Sequence, residues 1–283
     1  MVFYLPILGA LALAIGTILE RLVLIKKNID IKSYQVASFL GIVVCLFPFL
    51  YFLWRVDLEA FELKNILILL VVVIFSIIAN FLVFYSIKGE KINNLEPARV
   101  LEPLFVIILA IILGIFFKNL YEQNLKIIIP SLISASALVF SHIKKHHLYF
   151  NKYFLAAIAG SFFFALELVI SRFILDFYSP VTFYFFRSFL ILILSFLIFT
   201  PKFRGFNSKT KWIILITGGV WVIYRIIVYY GYIKLGVIFT TLLLMLGPVF
   251  IYSFAHFFLN EKMSWKNFLA SIIIVVSIAY VII

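Results

Sequence analysis

The chain has 283 residues, of which 65% are hydrophobic and 13% charged, and its mean hydropathy is +1.20. Soluble domains carry about 45–50% apolar and about 25% charged residues, so this composition excludes a soluble globular protein and points to lipid as the solvent. The net charge of +12 does not indicate a nucleic-acid partner, because most of the cations sit in short connectors such as KKNIDIK and KKHHLYFNK, the pattern of membrane-flanking lysines.

A spanning helix needs about 20 mostly apolar residues. In chain order the sequence offers ten: 3–25, 34–54, 65–87, 95–117, 125–143, 153–175, 181–200, 212–233, 237–259 and 265–283. Their continuous apolar runs lack the alternation of a membrane β-barrel. The first opens on MVFYLPILG, with no positive stretch before it and no small-residue cleavage site after it, and is expected to stay as a span rather than leave as a signal peptide. It carries Glu20 and Arg21. The second holds the lone cysteine, Cys45, in an apolar run where it is expected to pack as a small hydrophobe.

The fourth span begins on NNLEPARVLEPLF. Glu96, Arg99 and Glu102 step by three, so a helix puts them on one face with Arg99 in reach of either acid. They form either part of a solute pathway or a static ion network that locks the helix. Glu167 and Ser171 in the sixth span are i, i+4 neighbours, and Arg187 lies in the seventh. In the eighth, Trp221, Arg225, Tyr229 and Tyr232 make an aromatic stripe around a mid-span cation. Thr241, Met245, Pro248 and Tyr252 make a similar stripe in the ninth. Arg21 and Arg172, near span ends, are expected to snorkel to headgroups. His142, His146, His147 and His256 are scattered, so neither a metal site nor a cofactor is expected.

Charged side chains inside spans cost on the order of 2.5–3.5 kcal/mol each on insertion scales. Glu20, Arg99, Glu102, Glu167, Arg187 and Arg225 are therefore expected to face the bundle interior, with Trp221 and Tyr229 beside them, around a cavity that accepts substrate. Arginine suits carboxylate or phosphate because its planar fork bonds two oxygens. Pro103 and Pro248 are expected to bend their helices at matching places and act as hinges.

That match is part of a wider internal repeat. ILGALALAIGTILERLVL (7–24) lies against IAGSFFFALELVISRFIL (158–175), LEPLFV (101–106) against LGPVFI (246–251), and FFKN (116–119) against FFLN (257–260), in the same order. Two homologous units of five spans in series must cross the membrane in opposite senses, the inverted-repeat plan of many secondary transporters. The expected fold is an all-α integral membrane protein of ten transmembrane helices, built as two inverted five-helix repeats.

The segment YYGYIKLGVIFTTLLLMLGPVFIYSFAHFFLNEKMSWKNFLASIIIVVSIAYVI resembles the end of an EamA-like repeat of the drug/metabolite transporter superfamily: a tyrosine-rich helix, a helix with a central proline, a short turn at Asn260–Ser264, and a final small-residue helix. SRFILDFYSPVTFYFFRSFLILIL resembles the first helix pair of such a repeat, with Arg187 at its recurring arginine. The resemblance implies repeats over residues 1–147 and 148–283. The first half departs from it, with no arginine around Val36–Ser38 and with Glu102 where the second half has Gly247.

Lys and Arg number 14 in the odd-numbered connectors and 5 in the even-numbered ones. That asymmetry favours both termini outside, whereas the resemblance implies cytoplasmic termini. The expected function is secondary transport: a multi-pass cell-membrane protein, not an enzyme, that moves a small metabolite such as an amino acid by alternating access, as an exporter. Without a GxxxxGK[ST] motif, the driving force would be a proton or counter-substrate gradient, in a monomer or homodimer. The competing expectation is a membrane-embedded enzyme or flippase acting on lipid-linked phosphate.

Overall fold

The computed structural model describes residues 4–26, 28–90, 92–142, 151–203, 205–250 and 265–283. They form α1 (Tyr4–Leu24), α2 (Ile31–Leu53), α3 (Leu63–Gly89), α4 (Ile92–Arg99), α5 (Leu101–Phe116), α6 (Leu125–His142), α7 (Lys152–Ser171), α8 (Pro180–Phe199), α9 (Ser208–Lys234), α10 (Val237–Leu244) and α11 (Trp265–Ile282). Residues 246–250 are also helical. Among the described residues, extended pairing is limited to the bridge between Val56 and Tyr178, so the expected all-α membrane fold is borne out. Among the described residues nine helical stretches are long and apolar enough to cross a membrane, counting Asn94–Phe116 across the α4–α5 break as one, and Val237–Phe250 is a shorter apolar helical stretch. Tyr252, His146, His147, His256 and the turn Asn260–Ser264 lie outside the described residues.

The helix starts are written in the connectors. Asp30 accepts a hydrogen bond from Ser33 N, Asn151 from Phe154 N, Ser179 from Thr182 N and Asn207 from Thr210 N. Each satisfies an amide that the first turn leaves without a partner. Pro180 adds a fixed φ at the start of α8, where its missing N–H costs nothing. These caps set where each long helix begins, and so which side chains reach the centre.

Two elements differ from unbroken spans. The stretch expected at 95–117 starts at Ile92 and breaks between α4 and α5 at Val100; the stretch from Val237 breaks at Met245. Each break lies three residues before a proline, Pro103 or Pro248. A proline cannot donate to the carbonyl four residues back, and its ring crowds that carbonyl. The bends expected from sequence are therefore true interruptions.

The bundle closes where helices lack bulk. A Cβ on Gly160 of α7 would meet Val83 of α3 at 2.7 Å, and one on Gly218 of α9 would meet the backbone of Gly41 in α2 at 2.7 Å. Small residues let backbones approach this closely, which is how membrane helices gain packing without a hydrophobic drive between them. The opposite faces carry exposed Phe47, Phe116, Phe140, Leu197 and Val276, as lipid contact requires.

Candidate functional site

The polar centre is built around Glu167 of α7, which is fully buried. Its Oε1 lies 3.0 Å from Arg187 Nε of α8 and accepts from the Tyr229 hydroxyl of α9 at 2.9 Å. Ser171, one turn along, donates to the same oxygen at 3.4 Å, so the i, i+4 neighbours of the sequence do meet. Oε2 lies 3.4 Å from Arg225 Nη1, without closing a hydrogen bond. Arg187 Nε also donates to Ser76 Oγ of α3 at 3.0 Å. One carboxylate thus serves two arginines, and a buried charge without such partners would be very costly. Aromatic rings cover the cations: Tyr184 lies under Arg187, and Phe164 and Tyr224 flank Arg225.

In front of this cluster lies a recess of about 50 Å³, lined among others by Glu20, Arg99, Glu102, Arg187, Trp221 and Arg225. A chamber of about 390 Å³ adjoins it. Leu13, Arg99, Glu102 and Tyr224 line both, so the two spaces share a rim. Val106, Leu168, Val228, Tyr232, Leu244 and Met245 make the chamber walls mostly apolar, and Pro103 and Pro248 both line it. A Cβ on Gly16 of α1 would stand 3.1 Å from the Trp221 indole. That close approach seats the ring against α1, close to Glu20.

Glu20, Arg99, Glu102, Arg187, Trp221 and Arg225 therefore come together in one recess, and Glu167 and Tyr229 brace it from behind. The trio of the fourth span behaves differently from its spacing. Arg99 Nη2 donates to Thr17 Oγ1 of α1 at 3.2 Å, and among the described residues it forms no ion pair with Glu96 or Glu102. Glu96 instead faces His142 Nε2 at 3.6 Å. The helix ends at Arg99, so the regular face that spacing predicted does not continue to Glu102. Arg172 is not a snorkelling cation either: it is buried and pairs with Asp176 at 2.7 Å. Arg21 donates to the carbonyls of Ile87 and Glu90.

Sequence reasoning passed over Tyr224, Asn80 and Ser38, which also line the recess. Tyr224 lies three residues after Trp221, a signal at helical spacing hidden by the stronger arginine next to it. It also passed over Glu122, in the connector between α5 and α6. Glu122 Oε1 accepts from Phe239 N at 3.0 Å in the first turn of α10. Burial holds its carboxyl above the ordinary value, and backbone amides around the α10 start oppose that rise. Among the described residues no group of three or more His, Cys, Asp or Glu side chains could hold a metal.

The model of the EamA-like transporter family matches residues 151–283, which bears out the resemblance drawn from the second half. One solved structure, described only as "Crystal structure of protein", shares the fold at a TM-score of 0.67 and 15% identity, over 99% of this chain and 94% of that one. No curated protein matches the chain.

Proposed function

We propose, for a chain whose second half belongs to the EamA-like transporter family, that the whole is a secondary transporter exporting a small metabolite, an amino acid or a related organic compound, across the cell membrane. The observation that carries this is the chamber of about 390 Å³. It sits among α1, α4, α5, α9 and α10, draws walls from residues 1–147 and from residues 148–283, and has an interrupted, proline-bearing helix on each side. A central space between two halves, edged by broken helices, is what alternating access needs. In this reading the halves are inverted repeats, Pro103 and Pro248 mark their hinges, and Glu20, Arg99, Glu102, Glu167, Arg187, Trp221, Arg225 and Tyr229 form or brace the pathway. A proton or counter-substrate gradient supplies the energy.

Purified protein reconstituted in liposomes preloaded with unlabelled amino acids should accumulate the labelled amino acid by counterflow. Arg225→Ala should abolish that accumulation while inserting normally. If no solute moves and the purified protein cleaves a lipid-linked phosphate, the enzyme reading replaces this one.

A further inference from the structure

The internal repeat sets α1 against α7, and so α2 against α8, and helices that match in this way exchange partners between the halves. Gly9 of α1 and Gly160 of α7 hold matching places in the repeat. A Cβ on Gly9 would stand 3.0 Å from Ile227 of α9, and one on Gly160 would stand 2.7 Å from Val83 of α3. Each half packs its first helix against a helix of the other.

The same exchange ties α2 to α8 at both ends. Ser33 and Thr182 each stand three residues after the cap of their helix, Asp30 or Ser179. Ser33 Oγ accepts from Lys202 N, just past the end of α8, at 2.9 Å. Thr182 Oγ1 accepts from Arg55 N, just past the end of α2, at 3.1 Å. The start of each helix thus holds the end of the other, so the pair is antiparallel. Because α2 has the length and apolarity of a membrane span, the two ties lie on opposite faces of the bilayer. Ser33 and Thr182 are both buried.

The backbone around each tie is shaped to make it. Thr200 ends α8 at φ +42°, a conformation that a β-branched residue keeps only where its surroundings hold it. Lys202 follows two residues on. Near this tie Gln35 Nε2 of α2 also donates to Ser195 Oγ of α8 at 3.1 Å. At the other face Val56 and Tyr178 form an antiparallel bridge, flanked by Asp57 N donating to Phe177 O at 2.9 Å and Ser179 N to Arg55 O at 3.0 Å.

Two features separate these ties from gates. Alternating access opens one face at a time, whereas both ties are formed in one structure. They also stand away from the chamber. Among the described residues α2 and α8 back the recess, through Ser38, Phe39, Ile42, Tyr184 and Arg187, and contribute nothing to the chamber wall. The broken helices that carry Pro103 and Pro248 do line the chamber. We infer that, within the transporter reading proposed above, α2 and α8 form a fixed spine: clasped at both faces through Ser33 and Thr182, they stay together through the cycle, and each face opens on the chamber side.

Cross-links over the two ties test this in a Cys45→Ser background, with a short bis-methanethiosulfonate reagent. Lys32→Cys with Lys202→Cys spans the first tie. Asp57→Cys with Phe177→Cys, residues set opposite each other by the bridge, spans the second. In proteoliposomes, linked protein of either pair should keep at least half the counterflow of labelled amino acids that it shows after reduction. A larger loss that reduction restores makes that tie a gate and overturns the spine. Hydrogen exchange in nanodiscs needs neither a link nor transport. In the native protein, peptides containing the amides of Arg55 and Lys202 should both exchange slowly, each as one population. Ser33→Ala should speed exchange at Lys202 at least ten-fold and leave Arg55 unchanged; Thr182→Val should do the reverse. Two populations at either amide of the native protein, or exchange as fast as in the matching variant, overturns the spine. If no solute moves while both amides stay protected, the transporter reading fails and the doubly clasped pair stands. If solute moves and either tie opens, the spine fails and the transporter stands.

Discussion

Glu167 has the most exacting environment in the molecule. It is one buried carboxylate between two buried arginines, with Tyr229 and Ser171 on the same oxygen as Arg187 and the other oxygen facing Arg225. Breaking a buried ion pair by removing one partner costs about 3–5 kcal/mol, because the other charge is left unpaired. Glu167→Ala, which strands both Arg187 and Arg225, should therefore lower stability by at least that range in a denaturant titration of detergent-solubilised protein. Ser76→Ala removes a single hydrogen bond to Arg187 and should cost about 1 kcal/mol. Equal losses in the two variants would show that Glu167 is not the pivot. At this scale the sequence exposed the charged residues but not their pairing. Arg225 stood out as a mid-span cation, and Glu167 as an acid beside Ser171. Their contact joins α9 to α7, and periodicity along one helix carries no information about a neighbour from another. The same limit explains Arg99, whose own-helix partners Glu96 and Glu102 were plausible by spacing, while the observed acceptor, Thr17, comes from α1.

Among the elements, α10 depends on a residue far from it in sequence. Gly236 precedes it with φ +88°, and Glu122 occupies the space that a Cβ there would take. Only glycine combines that backbone conformation with that approach at low cost. Gly236→Ala should destabilise the fold by about 1–3 kcal/mol, more than the loss of the cap alone. The carboxyl of Glu122 should also leave a pH signature. Burial raises its value in the folded protein above that of an ordinary carboxylate, so the folded state holds a proton that the unfolded chain releases first. Stability from this group is fully present below the unfolded value and declines as pH rises from there through the raised folded value. The melting temperature of native protein minus that of Glu122→Gln should fall as pH increases across that window. A difference that is flat or rises with pH would remove burial as the dominant influence. Helix positions were legible because apolar length and capping residues are local: expected and observed ends of α1, α6 and α8 agree within a residue or so. The breaks at Val100 and Met245 and the Glu122 cap were not, since the prolines announced a bend without saying whether the helix would survive it, and the cap spans more than a hundred residues.

For the whole molecule the question is whether residues 1–147 and 148–283 move against each other. The repeated prolines and the match of residues 151–283 to the EamA-like transporter family motivate a test of such motion, and the structure supplies a place to block it. Gly247 lies beside α1, where a Cβ on it would stand 3.4 Å from the Cβ of Ala10. Disulfides bridge Cβ atoms about 3.5–4.5 Å apart, so Ala10→Cys with Gly247→Cys should oxidise with little distortion. The only native cysteine, Cys45, can be replaced by serine beforehand. The bridge ties α1 of the first half to the broken helix of the second, at the edge of the chamber. If transport proceeds by rocking, oxidised protein should lose counterflow almost entirely and regain it on reduction, while each single-cysteine variant keeps it in both conditions. A fully formed bridge that leaves transport intact would mean that this contact rides with one rigid body and that the moving boundary lies elsewhere. Binding of the counterflow amino acid measured on the same oxidised sample tells immobilisation from damage: oxidised protein that still binds it but does not move it is locked, whereas protein that no longer binds it is damaged.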